Sequence, residues 1–297
     1  MKKIVLGIGA LLILALAGYF FIYPYDYIVR FEAPTFPGTI NQTVKIWNQE
    51  VGVSGIPVKQ IDLTRLEQTV QAGDSVHKYL WELESISDTT TLVTVKIKDV
   101  DFSLANKLQV PFGRSAMEVL SKKYILDFAD RLKTHVSEFK VTLVGEAELP
   151  DTFYAYVNIK TDQHKKAGGM MDNFSLLSNV LTSSGASLNG PPMIVVNNWD
   201  QEKDSLDFNF CFPVVRSDRL PDYPGIAYKR IFPKRALKAQ YNGNYITSDR
   251  AWYALLDYAK KNNLEVEPTP IEVFYNNPNM GGNALTWKAD IYLPLKD

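Results

Sequence analysis

The C-terminal half of the chain contains one order of elements twice, and this internal repeat constrains the fold more than any other feature. Residues 154–215 and residues 237–295 each read as a strand, a helix, a strand, a turn and a strand. Pro192 and Pro270 begin matching strands at an offset of 78 residues. Two similar units with a shared order of elements predict a pseudo-twofold domain built round one joint core.

The region before the repeats has a different order of elements. An alternating strand over 27–32 is followed by a short helix. The segments 78–86 and 91–100 predict a hairpin with its turn at 88–90. Over residues 114–136, apolar side chains recur mostly every three or four positions, which predicts an amphipathic helix of about six turns.

This order of elements, together with the Ala-Pro-Thr-Phe-Pro turn at 33–37, resembles a START-like (SRPBCC) helix-grip domain over residues 26–140. The resemblance implies a curved antiparallel sheet that wraps round the long helix, often with an apolar cavity between them. The segment 48–62 is short and irregular in this chain, which argues against a large cavity.

Four elements of the second repeat carry another resemblance. They are the Tyr-Asn-Gly-Asn-Tyr run at 241–245, the helix with Ala251 and Trp252, the strand at 270–278 and the last strand, which ends on Leu293 and Pro294. Together they resemble the GyrI-like domain, also called the bacterial transcription-activator effector-binding domain, over residues 141–297. The resemblance implies two strand-helix-strand-strand units with a concave, aromatic-lined pocket between them. It also implies that the acidic residue of the 270–278 element faces this pocket.

The chain is therefore expected to be an α+β protein of three parts. Residues 1–25 are predicted to be a transmembrane anchor, residues 26–140 the helix-grip domain and residues 141–297 the pseudo-twofold domain. The length that remains after the anchor exceeds one ordinary core, which also favours two folded domains.

The predicted anchor is the run of 20 uncharged residues at 4–23. A helix of that length rises about 30 Å, which matches the hydrocarbon core of a bilayer. Lys2 and Lys3 precede the run, so the positive-inside rule places the N-terminus in the cytoplasm and the folded domains outside. The alternative is a signal peptide that is cleaved after Ala17, which would release the same domains as a secreted protein.

The composition argues against several classes of function. A formal net charge of −1 at pH 7 gives no support for nucleic acid as a partner. Cys211 is the one cysteine, so no intramolecular disulfide can form, and its apolar neighbours favour a buried position. His77, His135 and His164 are far apart, and neither a metal nor another cofactor is expected.

Glu272 is the leading candidate for a functional residue, because it lies within an apolar strand. A carboxylate there must reach solvent or have partners, since burying it unpaired is costly. If it faces a pocket, as the resemblance implies, it would attract a cation held against aromatic rings. The alternative is an exposed position on a half-buried sheet. The matching residue of the first repeat is Ile194, so a single acidic site is expected.

Several aromatic residues of the repeats are candidates for the lining of the pocket, with ordinary core positions as the alternative. Tyr241 and Trp287 are the first choices, and Tyr241 is close to Gly243, where another part of the backbone can approach closely. The predicted ligand-binding residues are Glu272, Tyr241, Trp287, Trp252, Tyr156 and Tyr275.

The leading functional hypothesis is a membrane-tethered protein that binds a small apolar or cationic aromatic molecule, as a sensor, a sequestering protein or an accessory factor. Binding alone, without catalysis, is the expected mechanism. The first alternative is a hydrolase of the GyrI-like type, in which Glu272 would activate water and Tyr241 would position the substrate. A transcription regulator is a weaker alternative, because a strand-rich domain occupies the place of a DNA-binding helix-turn-helix.

Overall fold

The computed structural model describes residues 2–87, 89–113 and 115–296. The chain divides into two units, Met1–Lys133 and Thr134–Asp297. One unit holds an antiparallel sheet of five strands and the other a sheet of eight, so the expected α+β class is confirmed. Asp88 of the predicted hairpin turn and Arg114 at the start of the predicted long helix lie outside the described residues.

The N-terminal apolar run forms helix α1 (Lys2–Ala17), which continues into a π-helical turn at Gly18–Ile22. Leu11, Leu12, Ile13 and Leu14 are all exposed. Four consecutive helical residues point in four directions, so none of the residues that the structure describes covers this part of α1. Within the described residues, no helix has both the length and the apolar character needed to cross a membrane. The predicted transmembrane helix is therefore not confirmed.

The first unit consists of one antiparallel sheet and three further helices. Its strands are β1 (Tyr27–Ala33), β2 (Lys59–Asp62), β3 (Arg65–Ala72), β4 (Ser75–Ser85) and β5 (Thr91–Asp99). Its helices are α2 (Pro37–Val51), α3 (Ser103–Gln109) and α4 (Ala116–Ser137), and the last turn of α4 belongs to the second unit. The strand order is β1-β5-β4-β3-β2, and the predicted pairing of β4 with β5 is present.

Helix α4 packs through the apolar stripe that its sequence predicts. Phe128 is fully buried, with its ring 4.8 Å from that of Trp81 on β4 and 5.3 Å from that of Trp47 on α2. The alternating residues Val93, Val95 and Ile97 of β5 are buried as well. This packing is consistent with the predicted helix-grip arrangement, and the START-like relationship itself stays a prediction.

The second unit has one eight-stranded sheet and two helices. Its strands are β6 (Phe139–Leu149), β7 (Thr152–Asp162), β8 (Met193–Asp200), β9 (Ser205–Pro213), β10 (Ala227–Ile231), β11 (Lys234–Gly243), β12 (Ile271–Phe274) and β13 (Lys288–Pro294). Its helices are α5 (Lys166–Ser183) and α6 (Arg250–Lys261). The strand order is β10-β7-β9-β8-β12-β13-β11-β6.

The two predicted repeats are present as β7-α5-β8-β9 and β11-α6-β12-β13. They join where β8 pairs antiparallel with β12 at the centre of the sheet. Ile194 lies directly opposite Glu272 in this pairing. Because these two residues are matching positions of the repeats, the pseudo-twofold axis passes between them. Strands β6 and β10, which the sequence analysis did not predict, add one strand at each edge.

The connection from β6 to β7 forces the eight-stranded sheet to curl. Six steps of the strand order separate these strands, which would place them about 29 Å apart in a flat sheet. The chain from Leu149 to Thr152 has only three peptide links and spans at most about 11 Å. The short link from β10 to β11 imposes the same condition. The sheet is therefore an incomplete barrel with a helix-covered face and an open face.

Candidate functional site

The open face of the eight-stranded sheet is concave and holds a cavity of about 540 Å³. Leu149 and Ile231 line it from strands at the two edges, and Val195 and Ile271 line it from the central pair. Phe232 and Pro233 of the link between β10 and β11, and Thr269 before β12, are also part of its wall. We call this cavity the groove.

Charged residues stand at the rim of the groove in pairs. Lys234 lines it and lies 2.7 Å from Glu267, which also lines it. Arg235 is another lining residue, and its guanidinium lies 2.6 Å from Glu146 on β6. Because each carboxylate here has a cationic neighbour, the rim is close to neutral, and the wall as a whole combines apolar side chains with polar and charged ones.

An apolar cluster forms the floor beside the groove. Its buried members are Leu149, Tyr154, Met193, Cys211, Ala236, Ile271 and Tyr292, and partly buried Tyr156, Val195 and Ile231 pack against them. Residues of edge and central strands meet in this one cluster, which is possible only because the open face is concave. Cys211 is a free, buried thiol in the cluster, as its apolar neighbours predict.

Tyr154 brings an unpaired polar atom into this cluster. Its side chain is fully buried, and its hydroxyl makes no hydrogen bond within the described residues. Burial raises the pKa of Tyr154. The nearby side chain of Asn209 lowers it again in part, although the two side chains do not have the geometry of a hydrogen bond. A buried hydroxyl without a partner is costly. Tyr154 is therefore a polar group that a ligand with a donor or acceptor could satisfy.

Glu272 lies on the other face of the sheet. The alternation of side chains along β12 directs Ile271 towards the groove and Glu272 towards the helices. Glu272 is fully buried; Lys166 Nζ donates to its Oε1 at 2.7 Å, and Ser248 Oγ donates to its Oε2 at 2.6 Å. The carboxylate is thus neither exposed nor facing the groove, which corrects the location expected from the sequence.

The partner of Glu272 is itself a fully buried cation. The ammonium group of Lys166 lies 4.9 Å from the centre of the Trp252 ring and also donates to Ser248 Oγ at 2.7 Å. Burial raises the pKa of Glu272, while the charge of Lys166 and the hydrogen bonds from Lys166 and Ser248 lower it again in part. A carboxylate, an aromatic ring and a cation do meet here, but the protein supplies the cation.

The other aromatic residues of the predicted site are divided between the two faces. Tyr241 and Trp252 are fully buried on the helix-covered face, and Trp287 packs 5.9 Å from the ring of Tyr245. Tyr156 packs against the floor cluster on the groove face, and the hydroxyl of Tyr275 donates to Asp290 at 3.0 Å. The six predicted residues thus do not form one site.

The pair needed for the hydrolase hypothesis has separate hydrogen-bond partners. The hydroxyl of Tyr241 bonds the carbonyl oxygen of Asn244 and the hydroxyl of Thr247, each at 2.8 Å. Glu272 is bonded by Lys166 and Ser248 instead. The described residues also contain no group of three or more His, Cys, Asp or Glu side chains that could hold a metal ion.

Neither Lys166 nor Tyr154 was predicted from the sequence. Lys166 begins a helix as one of two consecutive lysines, and nothing local distinguishes it from an exposed neighbour. Tyr154 starts the first repeat and could have been singled out by the strand period, because it shares a face with Tyr156.

Comparison with known proteins gives one family and several similar folds. The family model described as "GyrI-like small molecule binding domain" matches residues 147–296. The C-terminal domain of EcmrR is similar at 13% identity, with 54% of this chain and 98% of that chain covered and a TM-score of 0.46. SAV2435 bound to tetraphenylphosphonium is similar at 8% identity, with 54% and 94% covered and a TM-score of 0.39. A hydrolase from Listeria innocua is similar at 12% identity, with 57% and 98% covered and a TM-score of 0.33. No curated protein matches the chain.

Proposed function

The chain belongs to the family of GyrI-like small molecule binding domains, and we propose that it binds an apolar or cationic aromatic molecule in the groove on the open face of its eight-stranded sheet. It would act as a membrane-attached sensor, sequestering protein or accessory factor. The observation that carries this proposal is the concave groove, whose lining residues Leu149 and Ile271 also belong to the cluster that buries the unpaired Tyr154 hydroxyl.

The groove has the properties of a small-molecule site. Its volume of about 540 Å³ lies within the usual range for such sites, roughly 300–1,000 Å³. Apolar walls supply most of the binding energy in sites of this kind, and a few polar groups orient the ligand. Here Thr269, Arg235 and the Lys234–Glu267 pair are polar groups of the groove, and Tyr154 belongs to the neighbouring apolar cluster.

Apolar contact is expected to contribute more than charge. Glu272 faces away from the groove and is already paired with Lys166. A cationic ligand in the groove would have to compete with Lys234 for Glu267. Such a ligand would therefore gain little from its charge, and a neutral aromatic molecule of the same size should bind comparably.

Binding can be tested with two probes of similar shape and different charge. Tetraphenylphosphonium is the cationic probe and triphenylphosphine oxide the neutral one, each titrated calorimetrically against the full chain in lipid nanodiscs. Thr269→Trp should fill the groove and weaken the binding of both by about tenfold or more, roughly 1.4 kcal/mol. Met171→Trp is the matched control, because Met171 is exposed on α5. Equal binding to wild type and Thr269→Trp would refute the groove as the site.

Nothing in the geometry favours the hydrolase or the regulator alternative. Activation of water by Glu272 would require access to a carboxylate that is fully buried and bonded by Lys166 and Ser248. The proposed mechanism is accordingly binding alone. Unchanged probe binding in the double variant Lys166→Met/Glu272→Leu, which leaves no buried charge alone, would support this, because Glu272 would then have no part in the ligand site.

Membrane attachment through the N-terminal apolar run is the second part of the proposal. Its support is the exposure of large apolar side chains at both ends of the run, at Ile4 and Leu6 and again at Phe21 and Ile22, and at Leu11–Leu14 between them. Such a surface is unfavourable in water. The proposed orientation has the N-terminus in the cytoplasm and the folded units outside. Alkaline carbonate extraction tests attachment, and N-terminal sequencing of the mature protein tests the alternative of cleavage after Ala17.

A further inference from the structure

Helix α3 of the first unit is amphipathic in the reverse sense. Leu104 and Leu108, which lie four residues apart on one face, are 54% and 59% exposed. Asn106 and Lys107, by contrast, are only 7% and 4% exposed. A surface helix of a protein in water normally buries its apolar face and exposes its polar one. The exposed face of α3 would therefore be more stable in contact with an apolar environment outside the protein.

The polar side of α3 is held inward by specific hydrogen bonds. Asn106 Nδ2 donates to Asp99 Oδ2 at 2.9 Å, and Asn106 Oδ1 accepts from Ser115 Oγ at 2.8 Å. Asp99 also accepts from the backbone N–H groups of residues 101 and 102. Because these bonds fix the rotation of α3 about its own axis, the helix cannot turn Leu104 and Leu108 inward without leaving buried polar groups unpaired.

The exposed apolar surface extends beyond α3 on both sides. Val100 and Phe102 precede the helix and are exposed, and Phe112 follows it and is 75% exposed. We call Val100, Phe102, Leu104, Leu108 and Phe112 the α3 patch. Single exposed apolar residues are common, but five large ones within 13 residues mark an interaction surface.

The α3 patch adjoins the end of the N-terminal apolar helix. Lys107 Nζ donates to the backbone carbonyl of Phe20 at 3.3 Å and to that of Tyr23. The hydroxyl of Tyr19 donates back to the carbonyl of Lys107 at 3.2 Å. These bonds hold α3 next to the residues where the apolar run ends. The medium that surrounds the end of the run is therefore also in contact with the α3 patch.

We propose that the α3 patch docks into the interfacial layer of a lipid membrane beside the N-terminal helix. This inference rests on the proposed membrane attachment. The patch is continuous with a helix that the rest of the described chain leaves exposed at Leu11–Leu14, and this favours lipid over a protein partner. Tyr19 and Tyr23 at the same place suit the boundary between hydrocarbon and headgroups. The patch would hold the first unit against the membrane instead of leaving it on a free tether.

Fluorescence quenching by brominated lipid tests this contact in the full chain. The protein is reconstituted into phosphatidylcholine and phosphatidylglycerol vesicles with an environment-sensitive dye at Leu108→Cys. Cys211 is buried, so it does not compete for the dye under native conditions. The control carries the dye at Ile86→Cys, an equally apolar and 47% exposed position. Ile86 follows β4 at the opposite end of the sheet, about 27 Å from Asp99 along β5.

The expected result is a blue shift and loss of most of the dye emission at Leu108 in brominated vesicles, with neither change at Ile86. A dye at Phe112→Cys should behave like that at Leu108, and the added changes Leu104→Ser and Leu108→Ser should remove its quenching. Because both leucines are exposed, thermal unfolding should be unchanged in that variant.

Three results would overturn the inference, and they differ in what else they affect. If the protein sediments with vesicles but the dye at Leu108 is not quenched, the docking fails and the membrane attachment stands. A blue shift without quenching, together with crosslinking between copies, would make the patch a dimer interface. If the protein does not sediment with vesicles at all, the membrane attachment fails as well.

Discussion

Lys166 and Glu272 form an ion pair of 2.7 Å in which both side chains are fully buried, although 106 residues separate them in the chain. Lys166 is the first residue of α5 in the first repeat, and Glu272 is the second residue of β12 in the second repeat. The pair therefore joins the two repeats across the pseudo-twofold axis. Its position under α5 and α6 gives Glu272 a part in stability that the sequence did not indicate.

Breaking this pair should destabilise the second unit strongly. Glu272→Leu leaves the ammonium of Lys166 buried without its counter-ion, Lys166→Met does the same to the carboxylate, and such changes usually cost about 3–5 kcal/mol each. In the double variant Lys166→Met/Glu272→Leu, the free energy of unfolding should fall by much less than the sum of the two single losses, because no charge then stays buried alone. Guanidinium unfolding of the four proteins of this cycle measures the coupling. Additive losses would show that the two groups do not depend on each other.

Tyr154 and Tyr241 offer a matched comparison of an unpaired and a paired buried hydroxyl. Both side chains are fully buried, but only that of Tyr241 makes hydrogen bonds, to Asn244 and Thr247. We expect Tyr154→Phe to raise the free energy of unfolding by about 1 kcal/mol and Tyr241→Phe to lower it by about 1 kcal/mol. Urea unfolding without ligand measures both. The same direction for both variants would contradict the assignment of Tyr154 as unpaired.

His135 should make the stability of the second unit depend on pH. Burial, followed by the nearby charge of Arg250, lowers the pKa of His135 to about 4. Its Nε2 accepts from Arg250 Nε at 3.2 Å, which requires an unprotonated nitrogen. Since the folded pKa lies below the unfolded value of about 6.5, the unfolded state binds the proton more readily. The stabilisation is complete above about pH 6.5 and is lost as the pH falls towards 4.

The decrease in the free energy of unfolding that is due to His135 should reach at most about 3 kcal/mol between pH 6.5 and pH 4. Urea unfolding at pH 7, 5 and 4 measures it in the wild type and in His135→Gln, which should show a smaller decline. His164 is exposed, so His164→Gln serves as the control and should follow the wild type. If His135→Gln declines as steeply as the wild type, the pH dependence arises elsewhere.

Gly243 is the last residue of β11, and both its backbone conformation and the space around it favour glycine. Its φ is +151°, and a Cβ there would lie 2.7 Å from Cβ of Phe139 and 2.6 Å from the hydroxyl of Tyr241. Gly243→Ala should therefore combine backbone strain with overpacking, each about 1–3 kcal/mol. Gly225→Ala is the control, because its φ is also positive at +87° but nothing lies within 4 Å of the added Cβ. Thermal unfolding should rank Gly243→Ala as much the less stable, and equal losses would refute the steric part.

Much of the fold was predictable because it follows from short-range patterns. The repeat of strand, helix and two strands in the C-terminal half is confirmed element by element, since alternation and helical period act within each segment. A close backbone approach at Gly243 was predicted from the residue type, whereas the atoms that crowd this glycine belong to the side chains of Phe139 and Tyr241. Strands β6 and β10 were missed, because edge strands such as β6 expose alternate residues and have a weak apolar pattern.

The candidate site was predictable only in part. Tyr156 and Tyr275 do lie on the groove face, but Glu272, Tyr241 and Trp252 lie on the helix-covered face. The alternation along β12 predicts that Ile271 and Glu272 lie on opposite faces of the sheet. It does not predict which of the two faces the helices cover. That choice depends on where α5 and α6 pack, which involves contacts between distant parts of the chain.

The sequence by itself determined the two repeats, the α+β class, the apolar N-terminal run and the family to which the C-terminal half belongs. Only the tertiary structure decided that Lys166 pairs with Glu272, that the sheet curls round a groove and that α3 turns Leu104 and Leu108 outward. The physical reason is the range of the interactions. Periodicity and turn residues act over a few positions, whereas a buried charge and a concave face are defined by groups that meet only after the chain has folded.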